Sequence, residues 1–98
     1  MFYFVIVYRF RPDNPRLETV RVSHQEFLEK LAVSNRLVAA GPLTDPAGGE
    51  LLVVRFPTAT DTKTVLSLTE KDPLVREGLV TQRDVRQWRP DTLNLERI

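Results

Sequence analysis

Ninety-eight residues, 42% of them apolar and 28% charged, describe one globular domain with a single core and exclude a disordered chain. A formal charge of +1 leaves no global field to draw the chain to nucleic acid or an anionic membrane. With no cysteine there is no disulfide scaffold, thiol nucleophile or Cys-ligated metal, and the composition fits a reducing, cytoplasmic setting.

Residues 2–10, FYFVIVYRF, are rich in aromatic and β-branched side chains and read as a strand. Phe2, Phe4, Ile6, Tyr8 and Phe10 share one face and Tyr3, Val5 and Val7 the other, so both faces are apolar. The segment is too short to cross a bilayer and runs into Arg9 and Arg11. Pro12, Asn14 and Pro15 end it, and residues 11–22 read as a long connection with a turn of helix around 17–20. Ser23 and Glu26 then have the S-x-x-E spacing of a capping box, with Val22 and Phe27 as a hydrophobic staple. That places the helix start at His24. Phe27, Leu28, Leu31 and Ala32 form its apolar stripe, and Asn35 sits where a left-handed cap ends it.

A short strand follows at 37–40, stopped by Gly41-Pro42. Turn residues fill 44–49, and 51–56 is a third strand, with Leu51 and Val53 on one side and Leu52, Val54 and Phe56 on the other. Thr58 is placed as the cap of a second helix with a weaker stripe. That helix ends before Asp72-Pro73. Asp72 as N-cap, Pro73 at the first helical position and Gly78 beyond the end describe a short extra helix, 73–77. The last strand is expected over 79–88, closed by Pro90. Residues 91–98 read as a tail unless Leu93, Leu95 and Ile98 dock.

The order β-α-β-β-α-β is the ferredoxin-like arrangement, an α+β fold with a four-stranded antiparallel sheet and two helices on one face. Successive elements reverse direction, so the end of strand 1, the start of helix 1, the end of strand 2 and the end of helix 2 meet at one edge. His24, the single histidine, and Asp72 become neighbours there, on a rim lined by Tyr8, Gly41 and Pro42. A carboxylate beside an imidazole fixes its tautomer and raises its basicity, which suits proton transfer to and from a bound molecule. Two simpler readings stand beside this one. His24 can be an exposed histidine behind a cap, and Asp72 can be a cap alone. In either reading the positive helix end, with no anion nearby, is expected to keep the ring mostly neutral at pH 7. The apolar second face of the sheet points to a homodimer packed sheet to sheet.

The strand FYFVIVY, His24, the run Asn35-Arg36-Leu37-Val38-Ala39-Ala40-Gly41-Pro42, the run 71–79 (KDPLVREGL) and the closing strand to Trp88 together resemble the YciI-like family of small dimeric ferredoxin-like proteins. The resemblance covers nearly the whole chain. It implies a His/Asp-centred active site, here His24 and Asp72, in a cleft near the sheet. Some related proteins act on aromatic ring compounds by proton transfer or dehydrochlorination.

The resulting expectation is a cofactor-free acid–base enzyme acting on a small, partly apolar, aromatic-type substrate, with no metal cluster available to one histidine. The alternatives are a non-catalytic dimeric module that binds a small molecule, and a cofactor-free oxygenase. RNA binding is disfavoured: the third strand, 49–56, lacks aromatic residues at the stacking positions and carries an acid near its start.

Overall fold

The computed structural model describes residues 1–93. In chain order the elements are β1 (Phe2–Arg9), α1 (Leu17–Val33), β2 (Leu37–Pro42), β3 (Glu50–Phe56), α2 (Thr62–Thr69), α3 (Pro73–Arg76) and β4 (Gln82–Trp88). The strands form one antiparallel sheet in the order β2-β3-β1-β4, the strand order of the ferredoxin-like fold expected from the element sequence.

The alternation of β1 sets the layers. Phe4, Ile6 and Tyr8 are fully buried under the helices, opposite Val54, Leu52 and Glu50 of β3. Val20, Phe27, Leu28 and Leu31 of α1, Val65 of α2, and Leu74 and Leu79 complete that core. Tyr3, Val5 and Val7 point the other way, opposite Arg55, Val53 and Leu51, and Tyr3 meets Trp88 edge to face at 6.2 Å. No layer of this chain covers this second, largely apolar face among the described residues.

Several boundaries differ from the sequence expectation, among them the start of β3, which includes Glu50. α1 begins at Leu17, six residues before the Ser23–Glu26 box. Asn14 opens it: its side-chain oxygen accepts from the Arg16 N–H at 3.0 Å and its carbonyl from the Leu17 N–H at 3.1 Å. An Asn followed by Pro15 is a helix-start signal in its own right. Ser23 is therefore no cap; its hydroxyl donates back to the Val20 carbonyl at 3.1 Å, as a serine inside a helix does. At the other end the expected cap forms. Asn35 has φ of 63°, and the Asn35 and Arg36 N–H groups donate to the carbonyls of Ala32 and Leu31, closing a Schellman motif.

β2 runs through Gly41 to Pro42 instead of stopping before them. It is an edge strand, where a proline without an N–H breaks no ladder. α2 is capped by Asp61, whose carboxylate accepts from the Thr64 N–H at 2.8 Å, rather than by Thr58. β4 starts at Gln82, because Leu79 turns into the core and Thr81 first ties its N–H to the Arg9 carbonyl. α3 is as expected, with Asp72 accepting from the Leu74 N–H and Gly78 at φ 74° past its end.

Leu93 lies with Met1, Phe2, Tyr3, Trp88 and Pro90 around a cavity of about 560 Å³. Leu95 and Ile98 fall outside the described residues. No described helix is long and apolar enough to cross a membrane.

Candidate functional site

Moving the start of α1 back to Leu17 changes what His24 is. The buried positions of the helix are Val20, His24, Phe27, Leu28 and Leu31, so His24 occupies the apolar stripe in mid-helix. It faces the sheet and is 6% exposed. A polar ring on that face must find partners, and it finds one at each nitrogen. Nδ1 lies 2.8 and 3.0 Å from the two carboxylate oxygens of Asp72. Nε2 lies directly against Oε2 of Glu50.

Asp72 is delivered by the loop before α3, where Pro73 fixes the helix start. It is fully buried. Its Oδ1 accepts the capping N–H of Leu74 at 3.0 Å, and its Oδ2 accepts the Tyr8 hydroxyl at 2.9 Å. One carboxylate thus caps a helix, holds a tyrosine and grips an imidazole. Glu50 is delivered by β3, whose first residue it is. It shares the inward phase of Leu52 and Val54 and is 8% exposed. Gly49 before it has φ of 101°, and a Cβ there would lie 2.4 Å from the Tyr8 carbonyl oxygen. Only glycine lets the two backbones approach that closely.

The electrostatics follow from the partners. Burial pulls the His24 pKa down, but the hydrogen bonds and charges of Asp72 and Glu50 outweigh it and push it from 6.5 up to about 9. The expectation of a neutral imidazole rested on a positive helix end, which is not where the ring sits. A carboxylate at each nitrogen favours the imidazolium form of His24 at neutral pH. Burial, then the charge and hydrogen bond of Asp72, push the Tyr8 hydroxyl well above its ordinary 10, with Glu50 adding to this and Arg83 opposing it. Arg83 is itself tied to Thr69 Oγ1 at 2.9 Å and to the Leu66 carbonyl.

The sequence-derived site residues are placed unequally. His24 and Asp72 meet across 48 residues of chain. Tyr8, expected on a rim, is fully buried and serves as a hydrogen-bond donor to Asp72. Pro42 pairs with Glu50, at the same end of the sheet. Gly41 pairs with Leu51 and so belongs to the open face, out of phase with the His24 side. Glu50 was passed over as a mere acid near a strand start. Its signal was its phase, since counting back from Leu52 and Val54 puts it inward. Among the described residues no group of three His, Cys, Asp or Glu is arranged to hold a metal; Asp72 and Glu50 lie at opposite nitrogens of one ring and do not converge on a point.

A helix-backed antiparallel sheet with an imidazole clamped between two buried carboxylates defines a small ferredoxin-like protein with a built polar centre. The YCII-related domain matches residues 1–89, and the chain belongs to that family. Among solved structures, it is similar to the 5-chloro-2-hydroxyhydroquinone dehydrochlorinase of Burkholderia phenoliruptrix AC1100 in complex with 2,5-dihydroxybenzoquinone. The identity is 26% and the TM-score 0.68, over 89% of this chain and 93% of that one. An antibiotic biosynthesis monooxygenase (15% identity, TM-score 0.58, 94% of this chain and 100% of the other) shares the fold. So does a protein of Arabidopsis thaliana (9%, TM-score 0.55, 96% and 99%). No curated protein matches the sequence.

Proposed function

We propose that this protein is a cofactor-free enzyme performing acid–base chemistry on a small, partly apolar ring compound, with His24 as the acid–base group and Asp72 as the residue that holds it. The observation that carries this reading is the buried Asp72–His24 contact at 2.8 Å. A carboxylate that is also fixed by Tyr8 and Leu74 cannot turn, so it fixes the ring it grips. The similarity to a dehydrochlorinase of a chlorinated hydroxyhydroquinone supports a ring substrate. The substrate enters at the sheet end where Pro42 lies beside Glu50.

The test is turnover of a panel of chlorinated and unchlorinated hydroxyhydroquinones, followed by absorbance and chloride release. His24→Gln and Asp72→Asn should each lower kcat/KM by about 100-fold or more, with the circular dichroism spectrum kept. A His24→Gln protein as active as wild type would end the proposal. One observation favours a second reading, a module that binds without turnover: both ring nitrogens already face carboxylates. Saturable binding of the same compounds with no product formed would select it.

The uncovered face of the sheet carries Tyr3, Val5, Val7, Leu51, Val53 and Trp88. We propose that a second copy covers it, sheet to sheet. Light scattering should give twice the 11.3 kDa chain mass at micromolar concentration, and Val5→Lys should return it to the monomer mass. A wild-type monomer at that concentration removes the dimer.

A further inference from the structure

We propose that Glu50 is the general base of this site: its carboxylate takes the proton of a phenolic or enolic substrate hydroxyl, and the oxyanion so formed takes the place Glu50 now holds against Nε2 of His24. The inference rests on the acid–base reading above and divides its work: Glu50 accepts the proton, and the charged His24, held by Asp72, keeps the part of proton donor and oxyanion holder.

The argument begins with donor counting. An ionised carboxylate only accepts, and a neutral imidazole has a single N–H. With a carboxylate at Nδ1 and another at Nε2, the ring satisfies both only when both nitrogens carry protons. Such a ring has no lone pair for a substrate proton; it can hold a negative oxygen. The base must then be one of the carboxylates. Asp72 is fully buried and held by Tyr8, the Leu74 N–H and Nδ1. Glu50 is held differently. Oε2 and Nε2 face one another with no other hydrogen-bond partner among the described residues, and Glu50 follows two glycines of positive φ at the end of the 43–49 loop. It is the member of the cluster that can be displaced without unmaking a cap or a tyrosine bond. Cavities of about 560 and 490 Å³ lie elsewhere, lined by the ends of β1 and β4 and by α1 with α3. Glu50 covers Nε2, so a substrate reaches it by moving Glu50 aside.

The step balances. The substrate O–H bond breaks, its proton forms an O–H bond on Glu50, and the electron pair stays on the substrate oxygen, which accepts from Nε2–H. One carboxylate charge is lost and one oxyanion charge is gained, so the cluster keeps its net charge. A buried cation beside the hydroxyl lowers its pKa toward that of a carboxylic acid, which selects phenols and enols over simple alcohols. The charged and titratable groups facing His24 are Tyr8 from β1, Glu50 from β3 and Asp72 from the α3 cap, with Arg83 of β4 beyond Tyr8.

The probes are 4-nitrophenol, whose phenolate is coloured, and the NMR titration of the one histidine. Below the free pKa of 4-nitrophenol, wild type should bind it as coloured phenolate while releasing no proton to the buffer, because Glu50 keeps it. Glu50→Gln should bind it uncoloured, or coloured with about one proton released. The His24 pKa should fall by about one unit or more in Glu50→Gln, and formate should raise it again, saturably, in Glu50→Ala. Uncoloured phenol in wild type, a full proton released by wild type, or an unmoved His24 pKa in Glu50→Gln would each overturn the proposal. So would wild-type turnover and pH profile in Glu50→Gln where His24→Gln is dead, and that outcome leaves the acid–base reading standing. Wild-type turnover in His24→Gln instead sinks the reading beneath it.

Discussion

Asp72→Ala is expected to lower the unfolding free energy by about 3–5 kcal/mol, the range for removing one partner from a buried ion pair. Three losses coincide at this residue. The His24 imidazolium keeps Glu50 but loses the carboxylate at Nδ1. The Tyr8 hydroxyl, on a fully buried ring, loses its acceptor, and an unpaired buried hydroxyl costs about 1–3 kcal/mol. α3 loses its side-chain cap, worth about 1 kcal/mol. These share one carboxylate and do not simply add. For a domain of this length the total corresponds to a fall in Tm of roughly 15–30 °C. Urea unfolding at pH 7 reads the effect directly. Asp72→Asn is the informative control, because it keeps the shape and an oxygen for the Leu74 N–H while removing the charge. It should sit between Asp72→Ala and wild type. An Asp72→Ala protein within about 1 kcal/mol of wild type would show that the network adds little to the fold.

What the sequence made legible, and what it hid, divides along physical lines. Strand phase was legible because side chains alternate with a period of two and β1 carries apolar residues at every inward position. The Asp72-Pro73…Gly78 helix was legible because each of its residues has one stereochemical use. The meeting of His24 with Asp72 was expected from the alternating directions of the elements, although the ring reaches Asp72 from the middle of α1 and not from its start. The start of α1 was hidden by a decoy. Ser23-His24-Gln25-Glu26 has the spacing of a capping box, yet Asn14-Pro15 starts the helix and Ser23 bonds backwards to Val20. Treating His24 as a cap-proximal polar residue kept it out of the stripe 20, 24, 27, 28, 31, to which its spacing assigns it. That single misplacement reversed the sign of the local field. A positive helix end would have kept the ring neutral, whereas two carboxylates keep it charged. Glu50 was hidden for the complementary reason: a strand read from Leu51 onward leaves its inward acid outside the element. Both misses are polar residues at apolar phase, the pattern by which a buried site announces itself in a short domain.

Stability should fall as pH rises from about 6.5 to about 9 and should do so through His24. Its folded pKa of about 9 lies above the ordinary 6.5. Below the lower value both the folded and unfolded chains hold the proton, and the ring's contribution is fully present. Between the two values the folded chain holds the proton and the unfolded chain has released it, so each added pH unit favours unfolding. Above about 9 the contribution is gone. The whole excursion is of order 3 kcal/mol. Tyr8 extends the decline at higher pH, because its buried hydroxyl stays protonated in the fold after an unfolded tyrosine has ionised near 10. Asp72 and Glu50 hold the ring's charge, so the slope is a property of the clamp and not of the histidine alone. Urea unfolding midpoints at pH 6, 7.5 and 9 measure it. His24→Gln should flatten the curve between 6.5 and 9 while leaving the decline above 10, which separates the two groups. A wild-type midpoint that is level from pH 6 to 9 would mean that the folded cluster binds no more protons than the unfolded chain, so the ring is not held as an imidazolium, and the oxyanion-holding role of Nε2 would go with it.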